Sequence, residues 1–200
     1  MSVQPLSANS NKPRPSREDA EDALRTILAY YGEDPTREGL VDTPKRFIGA
    51  YEEFLSGYQD DPEAILSRTF EEVDGYDDIV LLKNIKIESH CEHHIQPLIG
   101  VAHVAYLPAD RVVGISKLAR VCDAYSRRLQ SQETLTNQIA SAIENTLQPR
   151  GVAVLIDAAH YCMTTRGVHK SEVTCVTRAM SGAFKSDPGL EERFFRLIRD

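Results

Sequence analysis

The stretch Ile79-Val80-Leu81-Leu82-Lys83-Asn84-Ile85-Lys86-Ile87-Glu88 marks the change from helical to extended patterning in this chain. Ile85 and Ile87 alternate with Lys86 and Glu88, the period-two rhythm of a strand with one buried face. A second strand is read over Val101 to Leu107, and two more over Val152 to Ile156 and Val173 to Thr177. Two helices divide these halves. One is placed from a Ser116 cap with Leu118, Val121, Tyr125 and Leu129 as its buried stripe, and the next carries Leu135, Ile139, Ile143 and Leu147. Asp187 with Pro188 opens a last helix bearing Phe194, Phe195 and Ile198. The fold class that follows is α+β, a largely antiparallel sheet with helices on one face.

Upstream of the first strand the periodicity is helical. Ser16 with Asp19 resembles a capping box, and Ala20, Leu24, Ile27 and Tyr31 recur at helical spacing until Gly32. Thr43 and Pro44 start a second helix whose buried side is marked by Phe47, Tyr51, Phe54, Leu55 and Tyr58. Residues 1–15 are rich in Ser, Asn, Pro and basic groups and hold too little apolar surface to offset ordering, so a mobile tail is expected. The remainder, 16–200, reads as a single domain, helical over 16–77 and sheet-bearing over 78–200.

Charge narrows the function classes. A net charge of −7 with no continuous basic stripe argues against a sequence-independent grip on nucleic acid, which needs clustered phosphate contacts, while a small anionic ligand remains compatible. No apolar run approaches the roughly 20 residues of a bilayer span. The N-terminus lacks the pattern of a secretory signal, so no membrane partner and a cytoplasmic location are expected. Cys91, Cys122, Cys162 and Cys175 are scattered, which suits thiols or metal ligands better than a disulfide framework.

Cys91-Glu92-His93-His94 is the densest cluster of soft and borderline metal ligands, and the gap from Cys91 to His94 suits a metal-gripping turn. His160-Tyr161-Cys162 is the natural second half, since residues two apart on an extended segment share a face. Three readings stay open at this level. These side chains are buried thiols and satisfied histidines, or a closed structural site with four protein ligands, or an open catalytic site with three.

Ser116, Lys117 and Arg120 fall at the expected start of a helix, where free backbone amides favour anions and the two cations lie one turn apart. A phosphate cradle and a solvated basic helix end are both compatible with that pattern. Arg46 and Arg166 are equally ambiguous alone, although Arg166 closely follows the metal segment. Gln132 and Glu133 suit a helix first turn. Facing a pocket, Glu133 would instead accept paired N–H donors from a guanine edge.

Taken together, Cys91-Glu92-His93-His94, Gly114-Ile115-Ser116-Lys117-Leu118-Ala119-Arg120, Arg128-Leu129-Gln130-Ser131-Gln132-Glu133, and His160-Tyr161-Cys162 with Arg166-Gly167 closely resemble GTP cyclohydrolase I in identity, order and spacing. The similarity runs from about Ala20 to the C-terminus. The resemblance implies a tunnelling fold (T-fold), in which subunit sheets join into a barrel and two pentameric rings form a homodecamer with active sites at subunit boundaries. It also implies Zn2+ on Cys91, His94 and Cys162, with His93 and His160 catalytic. Arg46, Lys117, Arg120 and Arg166 are placed near ribose and triphosphate, Ser116 beside the ribose, and Gln132 and Glu133 at the purine. One departure is Gly49, where many relatives carry a basic residue three positions after Arg46. At His169, where relatives often carry Gln or Arg, no role is assigned.

The reaction so implied converts GTP to 7,8-dihydroneopterin triphosphate and formate. Zinc supplies Lewis acidity for hydrolytic opening at C8, His160 is assigned the proton donated to N7, and His93 and Ser116 serve the later transfers of the ribose rearrangement. A rival of another class is a non-catalytic GTP-binding regulatory protein with a closed structural zinc. A rival enzyme is a related T-fold protein acting on another pterin or deazapurine, for which triphosphate-facing cations would have no purpose.

Overall fold

The computed structural model describes residues 14–71 and 76–199. The expected tail lies outside them as far as residue 13. Helix α1 (Arg17–Tyr30) starts on the capping box: the Ser16 hydroxyl oxygen accepts from Asp19 N, and the Asp19 carboxylate accepts from Ser16 N at 2.8 Å. Beyond its end Gly32 takes φ 84°, a left-handed conformation that costs glycine little. Helix α2 (Thr43–Phe54) has Pro44 in its first turn, where the missing N–H removes no helical bond. A 3-10 turn at Ser56–Gln59 and α3 (Pro62–Leu66) follow. The apolar stripes of α1 and α2 are less covered than their spacing suggests. No residue of α1 is buried, and Ile27, Tyr31, Phe47 and Phe54 remain exposed in the single chain. Phe47, Tyr51 and Phe54 stack on one another instead of entering the sheet core.

Strands β1 (Thr69–Phe70) and β4 (Val112–Val113) form a small antiparallel ribbon. The main sheet contains β2 (Val80–Cys91), β3 (Pro97–Leu107), β5 (Leu129–Gln130), β6 (Gly151–His160) and β7 (Thr174–Gly182), in the order β5-β2-β3-β6-β7. All neighbours are antiparallel except β2 and β5. β3 and β6 are longer than their alternation alone indicates. Leu98 pairs with His160 and Val101 with Asp157, so the ladder continues through residues whose own pattern is mixed. In β2 the register shifts between Leu82 and Ile85, where Asn84 takes φ 59°.

Alternation along β3 builds two cores. Val104 and Tyr106 point to the layer made by α4 (Ile115–Ser126) and α5 (Gln132–Leu147), together with Val154, Ile156, Leu118, Val121, Leu135, Ile139 and Ile143. Ala105 and Leu107 point the other way, to Phe184 of α7 (Ala183–Ser186) and Phe194 of α8 (Pro188–Arg199). The expected helical layer is thus present, and the C-terminal helices add a smaller cover on the opposite face. Two local expectations change. Gly114, not Ser116, is the N-cap of α4, in an extended conformation with no side-chain cap bond, and Leu129 lies in β5 beyond the helix end.

Gly100 shows how tightly β3 meets β6. A Cβ there would fall inside the contact distance of the Asp157 carbonyl oxygen and the Ala158 Cα, both backbone atoms that cannot swing away. Gly100→Ala is therefore expected to destabilise the fold by about 1–3 kcal/mol or more. Urea unfolding checks this. A midpoint unchanged from that of the parent protein would mean that the two strands separate more easily than this packing requires.

Candidate active site

The sheet register places both halves of the metal motif at one end of the molecule. Cys91 closes β2, and the connection to β3 is a tight turn in which Cys91 N donates to Gln96 O at 2.8 Å and Ile95 N to Cys91 O at 2.8 Å. That turn curls His94 back over Cys91. Its cost is visible at Ile95, a β-branched residue held at φ 53°, and Tyr51 of α2 secures the segment by donating to Ile95 O at 3.3 Å. β6 ends at His160, opposite Leu98 at the start of β3, so the chain leaving β6 emerges beside the same turn.

Cys162 is not on an extended segment, as the spacing argument supposes. It lies in α6 (Tyr161–Thr164), a single turn that begins immediately after the strand. The thiol nonetheless reaches the cluster. One ligand atom each of Cys91, His94 and Cys162 lies within 4.8 Å of the others. Burial and the adjacent Cys91 thiol hold the Cys162 thiol above its ordinary range, and the Arg166 charge only partly opposes them. A divalent cation reverses that balance by binding both thiolates, and two sulfurs with one imidazole nitrogen are a donor set suited to zinc. The residues therefore fit a three-ligand zinc site, and among the described residues no fourth protein ligand joins the cluster. All four cysteines are free.

Several predicted residues border this cluster. His93 is largely exposed, with Nδ1 3.7 Å from Cys91 Sγ and Nε2 3.8 Å from Glu92. Arg166 places its guanidinium 2.9 Å from His94 Nε2. Glu133, in the first turn of α5 after the Ser131 cap, is close enough for its charge to act on His160 and Cys175. Burial lowers the pKa of His160, and the Glu133 carboxylate partly opposes that shift.

Gln132 is the residue whose placement differs most from expectation. Its side chain is fully buried, with Oε1 2.7 Å from His160 Nε2 and Nε2 directed at Cys175 O, Ile156 O and Thr177 Oγ1. In the single chain the amide is thus held between β6, β7 and His160, a placement the helix-start reading did not foresee. Thr136 and Thr177 complete this buried network, and sequence reasoning missed both. The only signal available was the four-residue step from Gln132 to Thr136 along one helix face.

Ser116, Lys117 and Arg120 are not brought to the cluster within one chain. They occupy the first turns of α4, whose entry is fixed at the other end of the sheet by a bond from Val113 N to the Tyr106 hydroxyl at 3.2 Å. Along β3, the path from Leu98 beside His160 to Tyr106 spans roughly 26 Å at about 3.3 Å per residue. Arg46 is solvent-exposed and paired with Asp42 at 3.2 Å. A Cβ at Gly49 would meet the Arg17 guanidinium at an ordinary contact distance of 3.7 Å, and that guanidinium is bound to Glu52 and Glu21.

The match to known proteins covers nearly the whole chain. Residues 20–199 match the family described as GTP cyclohydrolase I. The GTP cyclohydrolase 1 of Maricaulis maris (strain MCS10) is 59% identical over 185 residues, covering 92% of this chain and 90% of that one. The corresponding proteins of Hyphomonas neptunium (strain ATCC 15444) and Sinorhizobium fredii (strain NBRC 101917 / NGR234) are 58% and 57% identical, over 92% and 93% of this chain and 89% and 91% of theirs. With a Cys-His-Cys cluster of zinc-binding character on an α+β subunit, and identity of this level over this length, the chain belongs to the GTP cyclohydrolase I family.

Proposed function

We propose that this chain converts GTP to 7,8-dihydroneopterin triphosphate and formate, the entry reaction of pterin and folate synthesis, at the end of the sheet where Cys91, His94 and Cys162 meet. The observation that carries this reading is the three-donor cluster with two further histidines and a carboxylate beside it. Cys91, His94 and Cys162 would hold the zinc, which would supply Lewis acidity there for the hydrolytic steps. The remaining work falls to the chain's own groups. His160 stands at the purine as the proton carrier for N7, its imidazole suited to repeated transfers near neutral pH. Glu133 accepts from N1–H and the 2-amino group, and Arg166 meets the ribose and triphosphate side. His93, exposed at the rim, serves the later proton transfers that rearrange the ribose.

Arg46, Ser116, Lys117 and Arg120 complete the site from across subunit boundaries. In a single chain Ser116 opens α4 near the Tyr106 end of β3 while His160 lies opposite Leu98 at its other end, which supports a reading in which the protein is active as a homo-oligomer, here read as a decamer of two pentamers. The 16–77 and 78–200 parts act together as one domain in that assembly. Among the described residues no helix is long and apolar enough to cross a membrane. A cytoplasmic location is part of the same proposal. The regulatory rival with a closed zinc site is disfavoured by the lack of a fourth protein ligand among the described residues.

Incubation with GTP, followed by assay of formate and of the fluorescent oxidised pterin, tests the reading directly. Both products are expected in equal amounts, and a zinc-loaded protein that binds GTP without releasing formate would establish the regulatory alternative. His93→Ala should retain one zinc per subunit while formate release falls by about 10²–10⁴-fold, because it removes proton transfer and leaves the three donors in place. Stoichiometric zinc loss in that variant would make His93 a ligand.

A further inference from the structure

The buried network behind His160 has only one consistent arrangement of its protons. Gln132 Nε2 lies 2.8 Å from Cys175 O and 3.1 Å from Ile156 O, and carbonyl oxygens can only accept. The amide nitrogen must therefore face them, since the flipped amide would set Oε1 against two oxygens with no proton between. Thr136 Oγ1 is 2.7 Å from Gln132 O, to which it must donate, and 2.6 Å from Thr177 Oγ1. Its one hydroxyl proton being used, Thr136 accepts from Thr177, whose own oxygen accepts from Gln132 Nε2 at 3.1 Å. In this arrangement the two N–H groups of the amide are shared among three acceptors, and Gln132 Oε1 is left facing His160 Nε2 at 2.7 Å as an acceptor only. His160 Nε2 must then carry a proton, and Nδ1 is the ring nitrogen with no partner among the described residues.

We infer that Gln132 is a positioning residue: anchored by Thr177 and Thr136, it fixes His160 in the Nε2–H tautomer, so that His160 meets the substrate through Nδ1 alone. The inference rests on the proposed function for what His160 does, and on the geometry for which nitrogen does it. The Nε2–H bond stays intact throughout, so any proton passing between His160 and the purine moves at Nδ1. The amide also sets the ring plane. Its oxygen is locked by a 0% exposed side chain bonded to two strands, which leaves the imidazole little freedom to turn.

The test uses the zinc-loaded full chain with ¹⁵N-labelled histidine in solid-state NMR, the His160 signals being assigned by their loss in His160→Asn. The expected spectrum shows neutral His160 as the Nε2–H tautomer. In Gln132→Met, which fills similar volume without an acceptor, the tautomers should mix. Formate release should then fall in kcat by about 10–100-fold with KM for GTP changed by less than about threefold, and zinc content should stay constant. An Nδ1–H tautomer in the parent protein overturns the inference on its own, even where the variant does not fold. A raised KM with unchanged kcat would return Gln132 to base recognition, and unchanged kcat and KM would leave it without either role. A parent protein that shows the expected tautomer but releases no formate from GTP would refute the proposed reaction and leave the positioning of His160 standing.

Discussion

Cys162→Ser should yield a folded protein that holds no more than trace zinc and releases no measurable formate from GTP. Zinc binding to small protein sites is worth about 10–16 kcal/mol, so removing one of three protein donors forfeits several kcal/mol, on the order of 10³-fold in affinity. Serine keeps the size of the side chain but does not ionise at neutral pH, and its hydroxyl is a hard donor where the site offers soft ones. The fold should survive, because Cys162 lies in a one-turn helix at the sheet end, only partly buried and outside both apolar cores. Thermal unfolding of the variant and of metal-stripped parent protein should therefore coincide, while metal analysis separates variant from zinc-loaded parent. The contrast with His93→Ala is the decisive part, since one change removes metal and chemistry together and the other removes chemistry alone. Full zinc and full turnover in Cys162→Ser would place the ligands elsewhere.

The elements that carry both core and site were legible where periodicity and capping chemistry agreed. Ser16 with Asp19 gave the start of α1, and Leu135, Ile139, Ile143 and Leu147 gave the buried stripe of α5. The strands were legible in their alternating portions and not at their ends. Pro97 to Gly100 and Asp157 to His160 are held extended by each other, and pairing of that kind is set by tertiary register, not by local pattern. Ser116 misled because a serine at a helix start usually caps it, whereas here the extended Gly114 begins α4 two residues earlier.

The site divides in the same way. Cys91 and His94 were readable because one tight turn joins them, and Cys162 was readable only in combination, its true placement depending on a helical turn that the extended reading did not include. The partners of Gln132 were not legible, for a physical reason. An amide at the start of a helix looks exposed in sequence, but this one is buried and donates to carbonyls of two strands that only the fold brings beside it. Neither Thr136 nor Thr177 has meaning until β7 is laid beside α5. The separation of Ser116, Lys117 and Arg120 from the metal end is a property of the sheet's length and the direction of α4, neither of which a motif records.

Glu133→Ala should reduce GTP processing and, more tellingly, remove most of the preference for guanine. Glu133 follows the buried Gln132 in the first turn of α5, so its backbone is fixed while its carboxylate stays free to face the space beside His160. Ionised there, its two oxygens accept from guanine N1–H and the 2-amino group. Adenine presents a lone pair at N1 and no 2-amino donor, so its binding would cover the carboxylate without pairing it. A site built around such an acceptor can discriminate by roughly 10⁴-fold, because the charge loses water and gains nothing in return. ITP, which keeps N1–H and lacks the amino group, should fall between GTP and ATP. With the carboxylate gone, all three nucleotides lose that penalty and that pairing alike, and their rates of formate release should converge. Measuring kcat/KM for GTP, ITP and ATP with both proteins decides the matter. If Glu133→Ala kept the parent's full ranking of the three, the carboxylate would be no more than a charge favouring the N-terminus of its helix, and guanine would be recognised by other groups.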